Sequence, residues 1–433
     1  MKRYVIIGNG VAAAGCIEGI RSVDTEGEIT VVSLEKHEVY CRPLISYYLE
    51  KKTDLTKMSY RAPDFYEKNG ARVLYGVSVT EIHPESSTVL LSDGSSLPYD
   101  SICVATGSTP FVPPMEGLDA VSNKYSFLTL DDALALEKEL DKDARVLIVG
   151  AGLIGLKCAE GIYGRVKDIT VCDLADRVLS SILDNECAAL MQHCLEEQGI
   201  HFLLGDSVAK FEATDASAAD TSSEASGSSE AGSGKCYVAH MKSGSEVPFD
   251  VLVLAVGVRA NIGLVKAIGG TVNRGIVVDE KLATSVPGIY AAGDCAEGYD
   301  LSIGANRVLA IFPNAYMQGH AAGVNMAGGE EIFDRGMPMN SIGFFGLHAM
   351  TAGAYEGECY EEKTENSIKR LYIKDDRLKG FLLIGCKERA GIYTALIREQ
   401  TPLSELNFEL LKRAATTVAF SAENRRKKFG GVV

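Results

Sequence analysis

Residues 3–10 read Arg-Tyr-Val-Ile-Ile-Gly-Asn-Gly, and residues 145–155 read Arg-Val-Leu-Ile-Val-Gly-Ala-Gly-Leu-Ile-Gly. Each ends a short β-branched stretch in closely spaced small residues: Gly8, Gly10 and Ala13 in the first, Gly150, Gly152 and Gly155 in the second. A turn without Cβ atoms that opens a helix presents backbone N–H donors, the cradle that a bound pyrophosphate requires. A carboxylate stands beyond each cradle. Glu35 follows Ile29-Thr30-Val31-Val32, and Asp173 ends Ile169-Thr170-Val171-Cys172. An acid roughly 20 residues past such a turn accepts hydrogen bonds from adenosine ribose hydroxyls. A third acid, Asp294, follows the turn Pro287-Gly288-Ile289-Tyr290-Ala291-Ala292-Gly293, placed to hold a ribityl hydroxyl.

Chemistry of this kind needs a strand, a tight turn and a helix to position it, and the sequence carries that pattern twice. The duplication extends further. Residues 91–107 (Leu-Ser-Asp-Gly-Ser-Ser-Leu-Pro-Tyr-Asp-Ser-Ile-Cys-Val-Ala-Thr-Gly) align with 241–257 (Met-Lys-Ser-Gly-Ser-Glu-Val-Pro-Phe-Asp-Val-Leu-Val-Leu-Ala-Val-Gly). Each predicts a hairpin strand, a glycine turn and a buried strand ending in Gly107 or Gly257, so two dinucleotide folds are implied. Residues 212–235 are nearly all Ala, Ser, Gly, Thr, Asp and Glu. Such a stretch buries too little apolar area to offset its ordering entropy, which predicts a disordered hairpin extension. From about residue 330 the character changes. Strand signals at 370–374 and 378–384, then helix patterns at 390–398 and 404–419, predict a smaller α+β domain.

The 433 residues carry a net charge of −15, which argues against nucleic acid and an anionic membrane surface, since phosphate contacts need clustered cations. The one basic cluster, Arg425 to Lys428, reads as a solvated tail. Apolar runs such as 145–149 and 251–256 fall far short of the ~20 residues needed to cross a bilayer. The start, Met1-Lys2-Arg3-Tyr4, leads straight into a strand pattern without the features of a signal peptide, so a cytoplasmic location is expected. Eleven cysteines include no C-x-x-C pair and no Cys/His cluster at metal spacing. Cys187, Cys194 and Cys295 read as packing residues, and isolated His320 and His348 do not predict a metal site.

Gly8-x-Gly10, Ala105-Thr106-Gly107, Gly150-x-Gly152-x-x-Gly155 and the segment 284–294 together resemble the two-dinucleotide-fold FAD/NAD(P) oxidoreductases of the pyridine nucleotide–disulfide reductase superfamily. The resemblance implies an α/β protein with two Rossmann-like domains and a small α+β C-terminal domain. The first fold, at 1–111 and 257–328, is discontinuous and takes FAD. The second, at 112–256, takes the nicotinamide dinucleotide, and 329–433 forms an interface domain. Contacts to FAD are implied at Gly8, Gly10, Val11, Ala12 and Ala13, at Glu35, Arg42, Pro43 and Val79, and at Ala105, Thr106 and Gly107. Gly293, Asp294, Phe312 and Ala315 complete that set. Contacts to NAD are implied at Gly150, Gly152, Leu153, Ile154 and Gly155, at Asp173 and at Gly257. Asp173 favours NADH over NADPH because a carboxylate repels a 2′-phosphate, with Arg177 nearby as the opposing feature.

The stretch Tyr40-Cys41-Arg42-Pro43-Leu44-Ile45-Ser46 is similar to the branch containing rubredoxin reductases, ferredoxin reductases and the flavin part of NADH-dependent nitrite reductases. Phe312-Pro-Asn-Ala315-Tyr-Met-Gln318-Gly319 also resembles the last FAD-domain helix of that branch. The implied activity is hydride transfer between NADH and FAD, with electrons passing to or from a rubredoxin- or ferredoxin-type protein or partner subunit. The chain is then expected as a homodimer or as a subunit of a larger complex. Two departures bear on the reacting face. Lys157 stands where the branch carries the Glu of Ile-Gly-x-Glu, and Tyr47 stands where some members carry Lys, which leaves Lys157 and Cys41 as the candidate reactive side chains. Two alternatives stay open: a Cys41-dependent NADH oxidase or coenzyme A disulfide/peroxide reductase, and a flavin-binding signalling or assembly subunit.

Overall fold

The computed structural model describes residues 1–214 and 236–421, together with Glu423 and Arg426. The first sheet is all parallel, in the spatial order Ile289–Ala291, Ser101–Val104, Arg3–Ile7, Glu28–Ser33, Ala71–Tyr75. The second repeats the plan with Lys124–Ser126, Val251–Leu254, Arg145–Val149, Asp168–Asp173 and Ile200–Leu204. The inner strands Arg3–Ile7, Ser101–Val104, Arg145–Val149 and Val251–Leu254, buried on both faces, read as near-continuous apolar runs rather than alternating ones. The two sheets differ at one edge, where the first takes a strand from late in the chain and the second takes one that precedes its own cradle.

The aligned segments 91–107 and 241–257 fold alike. Each closes a three-stranded antiparallel meander, Val79–His83 with Thr88–Leu91 and Ser96–Pro98, or Val208–Thr214 with Cys236–Met241 and Glu246–Phe249. Gly94 and Gly244 take left-handed backbone (φ +84° and +92°) and make the same turn bond, to Leu91 O and Met241 O, both at 3.0 Å. The insert differs from expectation at its start. Glu212, Ala213 and Thr214 belong to the strand Val208–Thr214, paired with Val238, Tyr237 and Cys236. Glu212 also lies 3.4 Å from Lys210 on its own strand and 3.3 Å from His240 across the ladder, whose backbone pairing runs past the point where local composition predicts its end. Residues 215–235 lie outside the described residues, as does most of the basic cluster at 425–428.

The C-terminal strands form an antiparallel sheet in the order Met339–Phe344, Leu347–Gly353, Arg377–Ile384, Ile368–Lys374, Glu358–Lys363. The helix Ala390–Arg398 falls where its periodicity predicts. The expected helix at 404–419 does not form as one piece. Its residues make a 3-10 turn, Leu403–Glu405, a short helix, Phe408–Arg413, and a second 3-10 turn, Thr417–Ala419. Asn407 and Thr416 cap these pieces by accepting from Leu410 N and Val418 N, and Ala414 between them is extended. Such local side-chain bonds compete with a continuous helix.

Two packing features fix the relative placement of these layers. The helices Val11–Arg21 and Phe312–Ala327 cross almost backbone to backbone: a Cβ on Gly319 would lie 2.0 Å from Ala12 O, and one on Gly15 would lie 2.4 Å from Tyr316 O. One face of the C-terminal sheet, with Phe344, Ile368 and Leu382, shares a core with Met191 and Leu195 of the second fold and with Ile45, Leu49 and Met58. That junction also holds a buried ion pair. Lys157 Nζ donates to Glu160 Oε2 (2.6 Å) and to Gly343 O (2.6 Å), while Glu160 Oε1 accepts from Phe345 N (3.1 Å). Arg370 ties the same face to Asp184 and Glu186, with Glu361 at 2.6 Å.

Gly319→Val is expected to lower stability by about 2 kcal/mol or more through overpacking at the helix crossing. Gly391→Ala, where a Cβ meets nothing, should raise it by up to ~1 kcal/mol; urea midpoints decide both. Lys157→Met leaves Glu160 buried and uncompensated, so unfolding should come earlier by about 3 kcal/mol. The double variant Lys157→Met, Glu160→Gln should recover most of that loss in the same urea titration.

Candidate functional site

The two glycine turns are built alike. Gly8 N bonds Val32 O (2.8 Å) and Gly150 N bonds Cys172 O (2.7 Å), so each turn extends the ladder of its central strand. Both take positive φ (+112° and +120°), and a Cβ on either would fall 2.2 or 2.3 Å from the carbonyl oxygen of Ala105 or Ala255 on the neighbouring strand. Gly10 and Gly152 cap the following helices without a side-chain bond, and a Cβ there would meet nothing within 4 Å. Val11, Ala12 and Ala13 in one helix, and Leu153, Ile154 and Gly155 in the other, therefore begin uncapped beside open space. This arrangement fits the pyrophosphate of a dinucleotide twice.

The structure brings the first-fold residues together. Gly293 (φ +81°) wedges between the cradle helix and the helix Phe312–Ala327: its Cβ would lie 3.1 Å from that of Ala12 and 3.6 Å from that of Ala315. Phe312 opens the latter helix. Asp294 lies beside Ser108, whose hydroxyl is 3.3 Å from Oδ2. Burial pushes the Asp294 carboxyl above the usual range, against the Ser108 hydrogen bond and the charge of Arg42. Thr106 exchanges bonds with Asn261 (Oγ1 to Asn261 O, 3.1 Å; Asn261 Nδ2 to Thr106 O, 2.8 Å), and both line an open surface groove with Thr80, which follows buried Val79. Gly107 and Gly257, both at positive φ, face open space.

The acids are more engaged than the sequence suggests. Glu35 accepts from Tyr40 OH (2.7 Å) and from Arg42 Nη2 (2.7 Å), and Arg42 Nη1 reaches Leu128 O (3.0 Å). Pro43 follows Arg42 in the 3-10 turn Arg42–Leu44. Asp173 accepts from Ala151 N (2.7 Å) and Ala175 N (2.8 Å), which pins the second turn. In the first turn Asn9 has that task. It accepts from Tyr66 OH (2.8 Å) and donates to His37 O (3.3 Å). Sequence reading missed Asn9, Tyr66, Ser108 and Asn261; the Asn within Gly-Asn-Gly was the one available signal. Arg177 is held by Asp176 (2.9 Å), Ser180 O (3.3 Å) and Leu183 O (3.4 Å).

The two candidate reactive side chains are placed differently. Lys157 is not free. Its Nζ, beyond the bonds already described, lies 4.5 Å from the Phe344 ring and 5.4 Å from that of Tyr47. Cys41 is half-buried, and burial pushes its thiol up, away from the thiolate form. All eleven cysteines are free thiols. Cys295 donates to Val104 O (3.2 Å) in the core, and His320 pairs with Glu331 (2.9 Å). No helix among the described residues is long and apolar enough to cross a membrane.

Comparison with known proteins agrees with this geometry. The family described as pyridine nucleotide-disulphide oxidoreductase matches residues 2–319. The chain is 29% identical over 414 residues to the NADH-dependent phenylglyoxylate dehydrogenase subunit epsilon of Aromatoleum evansii, covering 93% of each chain. It is 32% identical over 419 residues to an NADH oxidase of Methanocaldococcus jannaschii, covering 88% of this chain and 87% of that one. It spans about half the length of two Bacillus subtilis relatives, 50% of one and 48% of the other. Among solved structures, that of a covalent putidaredoxin reductase–putidaredoxin complex superposes with a TM-score of 0.82 at 25% identity, covering 95% of both chains. With two open cradles on a duplicated parallel fold and a family match over residues 2–319, the chain belongs to the pyridine nucleotide-disulphide oxidoreductase family and is an FAD-dependent NAD(P)H oxidoreductase.

Proposed function

We propose that this chain takes electrons from NADH and passes them through FAD to a small redox protein or a partner subunit, or runs the same path in reverse. Residues 1–111 and 257–328 hold FAD, 112–256 hold the nicotinamide dinucleotide, and 329–433 form the interface domain. The observation that carries the reading is the pair of open, uncapped glycine turns on the duplicated fold, while Cys41, half-buried with its thiol pushed up by burial, lends no support to a thiolate-dependent reductase. Similarity to a reductase solved in complex with its redoxin, and to a dehydrogenase subunit, supports a protein acceptor.

Within this reading each cradle binds a pyrophosphate at its helix N-terminus. Asp294 accepts from the ribityl chain, and Arg42 lies within electrostatic reach of both Glu35 and Asp294, neutralising charge beside the first cradle. Asp173 serves two ends, bracing the turn and meeting the adenosine ribose. NADH is preferred because a 2′-phosphate would face the Asp173 carboxylate while Arg177 is held elsewhere. FAD, when bound, supplies the exchange between a two-electron hydride donor and a one-electron acceptor. A cytoplasmic setting suits a consumer of NADH with eleven unpaired thiols.

Anaerobic NADH titration, with Cys41→Ser alongside, tests the reading. Both proteins should bleach at one NADH per FAD without a thiolate charge-transfer band; a second equivalent taken up only by the wild type would establish the Cys41-dependent oxidase or peroxide reductase instead. Asp294 supplies a pH test. Its raised pKa means that in the flavin-free protein its contribution to stability is present below the ordinary aspartate value and lost as pH rises through the raised one. A ribityl hydroxyl donating to the carboxylate favours the ionised form, so FAD affinity should fall as pH drops through that raised value. Asp294→Asn should flatten the dependence, measured by flavin fluorescence between about pH 4 and 8. The same slope in both proteins would remove Asp294 from the site.

A further inference from the structure

The helix Phe312–Ala327 carries two fully buried amides one turn apart, Asn314 and Gln318, and each has one atom without a partner. Gln318 Oε1 accepts the N–H of Gly293 at 2.8 Å. Because that N–H is a donor, the amide oxygen must face it, which fixes the NH₂ group on the other side, where Nε2 has no acceptor. Asn314 is the complement. Its Nδ2 donates to Met337 O (3.0 Å), and Oδ1 has no donor.

An unsatisfied donor and an unsatisfied acceptor thus stand one turn apart on the same helix face, each able to bond a single bridging molecule. Gly298 packs closely against the amide: a Cβ there would come within 3.1 Å of Gln318 Nε2, so this position admits no side chain. Asp300, also fully buried, ends the same strand face as Gly298. Leu301 N bonds Gly336 O (2.7 Å), which draws the end of that strand toward Met337 and hence toward Asn314. Asp300 Oδ1 accepts from Ser302 N (2.8 Å) and Ser302 Oγ (2.7 Å), and its Oδ2 pairs with Arg307.

We propose that an ordered water bridges Gln318 Nε2 and Asn314 Oδ1 beside Asp300, and that Gln318, locked in this way, is the positioning residue for the Gly293–Asp294 turn. The water accepts from Gln318 and donates to Asn314, so both amides hold a single orientation. Gln318 in turn holds the peptide that enters Gly293, and that peptide sets where the Asp294 carboxylate stands. Removing Oε1 frees the 292–293 peptide to rotate and lets Asp294 swing. The proposal rests on the reading of Gly293–Asp294 as a flavin-binding turn.

The test uses the flavin-loaded protein and the variants Gln318→Met and Gln318→Glu. Gln318→Met, which removes the acceptor, should weaken FAD binding roughly tenfold and shift the flavin midpoint potential and visible bands, with the KM for NADH unchanged. Gln318→Glu keeps an acceptor for Gly293 N–H and should restore most of the affinity, and it decides the matter if the Met variant does not fold. Wild-type affinity and potential in Gln318→Met, or equal losses in both variants, would overturn the positioning role. A high-resolution crystal structure of the wild type should show the water between Gln318 Nε2 and Asn314 Oδ1; a dry gap overturns that half whether or not flavin is bound. Wild-type protein that takes up no FAD would instead count against the flavin reading itself.

Discussion

Two helices far apart in sequence touch through their backbones, and most of the first unit's geometry follows from that contact. Val11–Arg21 and Phe312–Ala327 present Gly15 and Gly19 on one side and Gly319 and Gly323 on the other, so carbonyl groups of each helix rest where the partner has no side chain. Helices with ordinary side chains at the contact stay about 8–10 Å apart. Closer approach carries the start of the second helix to the first cradle, and with it Ala315, Gln318 and the turn at Gly293. A residue with a Cβ at any of these four glycines forces the layers apart and takes Asp294 away from the turn at Gly8 and Gly10.

The second unit repeats the cradle and holds it differently. Asp173 braces its own glycine turn from the next strand. In the first unit the bracing falls to Asn9 and Tyr66, and Glu35 is drawn into a cluster with Tyr40 and Arg42. Arg42 and the Tyr40 hydroxyl reach on to Leu128 and Leu130 at the entry to the helix Leu130–Glu137, so the acid beside the first cradle also joins the two units. At the far end of that helix Glu137 receives Tyr48 OH (2.7 Å), Lys51 and Arg165 (3.4 Å), and its carboxyl lies below the usual range, with these partners outweighing burial. Charge pairs of this kind fix orientation more than they add stability.

What could be read in advance follows the range of the physics involved. The cradles, the glycine turns of the meanders, the strands near 370 and 380 and the helix at 390–398 depend on neighbours in sequence, and they formed as their residues predict. The engagement of Glu35 and the capture of Lys157 by Glu160 and Gly343 depend on partners that no local pattern specifies. The expected helix at 404–419 shows the reverse limit: its apolar spacing is helical, but Asn407 and Thr416 cap short pieces. The insert began three residues later than composition suggests because pairing with Cys236–Val238 carries the strand through Thr214. Gln318 lies within the motif Phe312–Gly319, yet its bond to Gly293 spans two segments that meet only when the sheet closes.

The strand order also bears on the sequence of events at the ribosome. Arg3–Ile7 is made well before Ile289–Ala291, and its sheet lacks an edge until that strand arrives, as its helix lacks a neighbour until Phe312–Ala327 follows. Ile45, Leu49 and Met58 wait longer still, since the core that covers them includes Phe344 and Leu382. Non-local pairing of this sort is slow to form and leaves apolar surface open meanwhile. In a chain of this architecture the second sheet can close before the first, whose early strands must be kept from aggregating until Ile289–Ala291 has been synthesised.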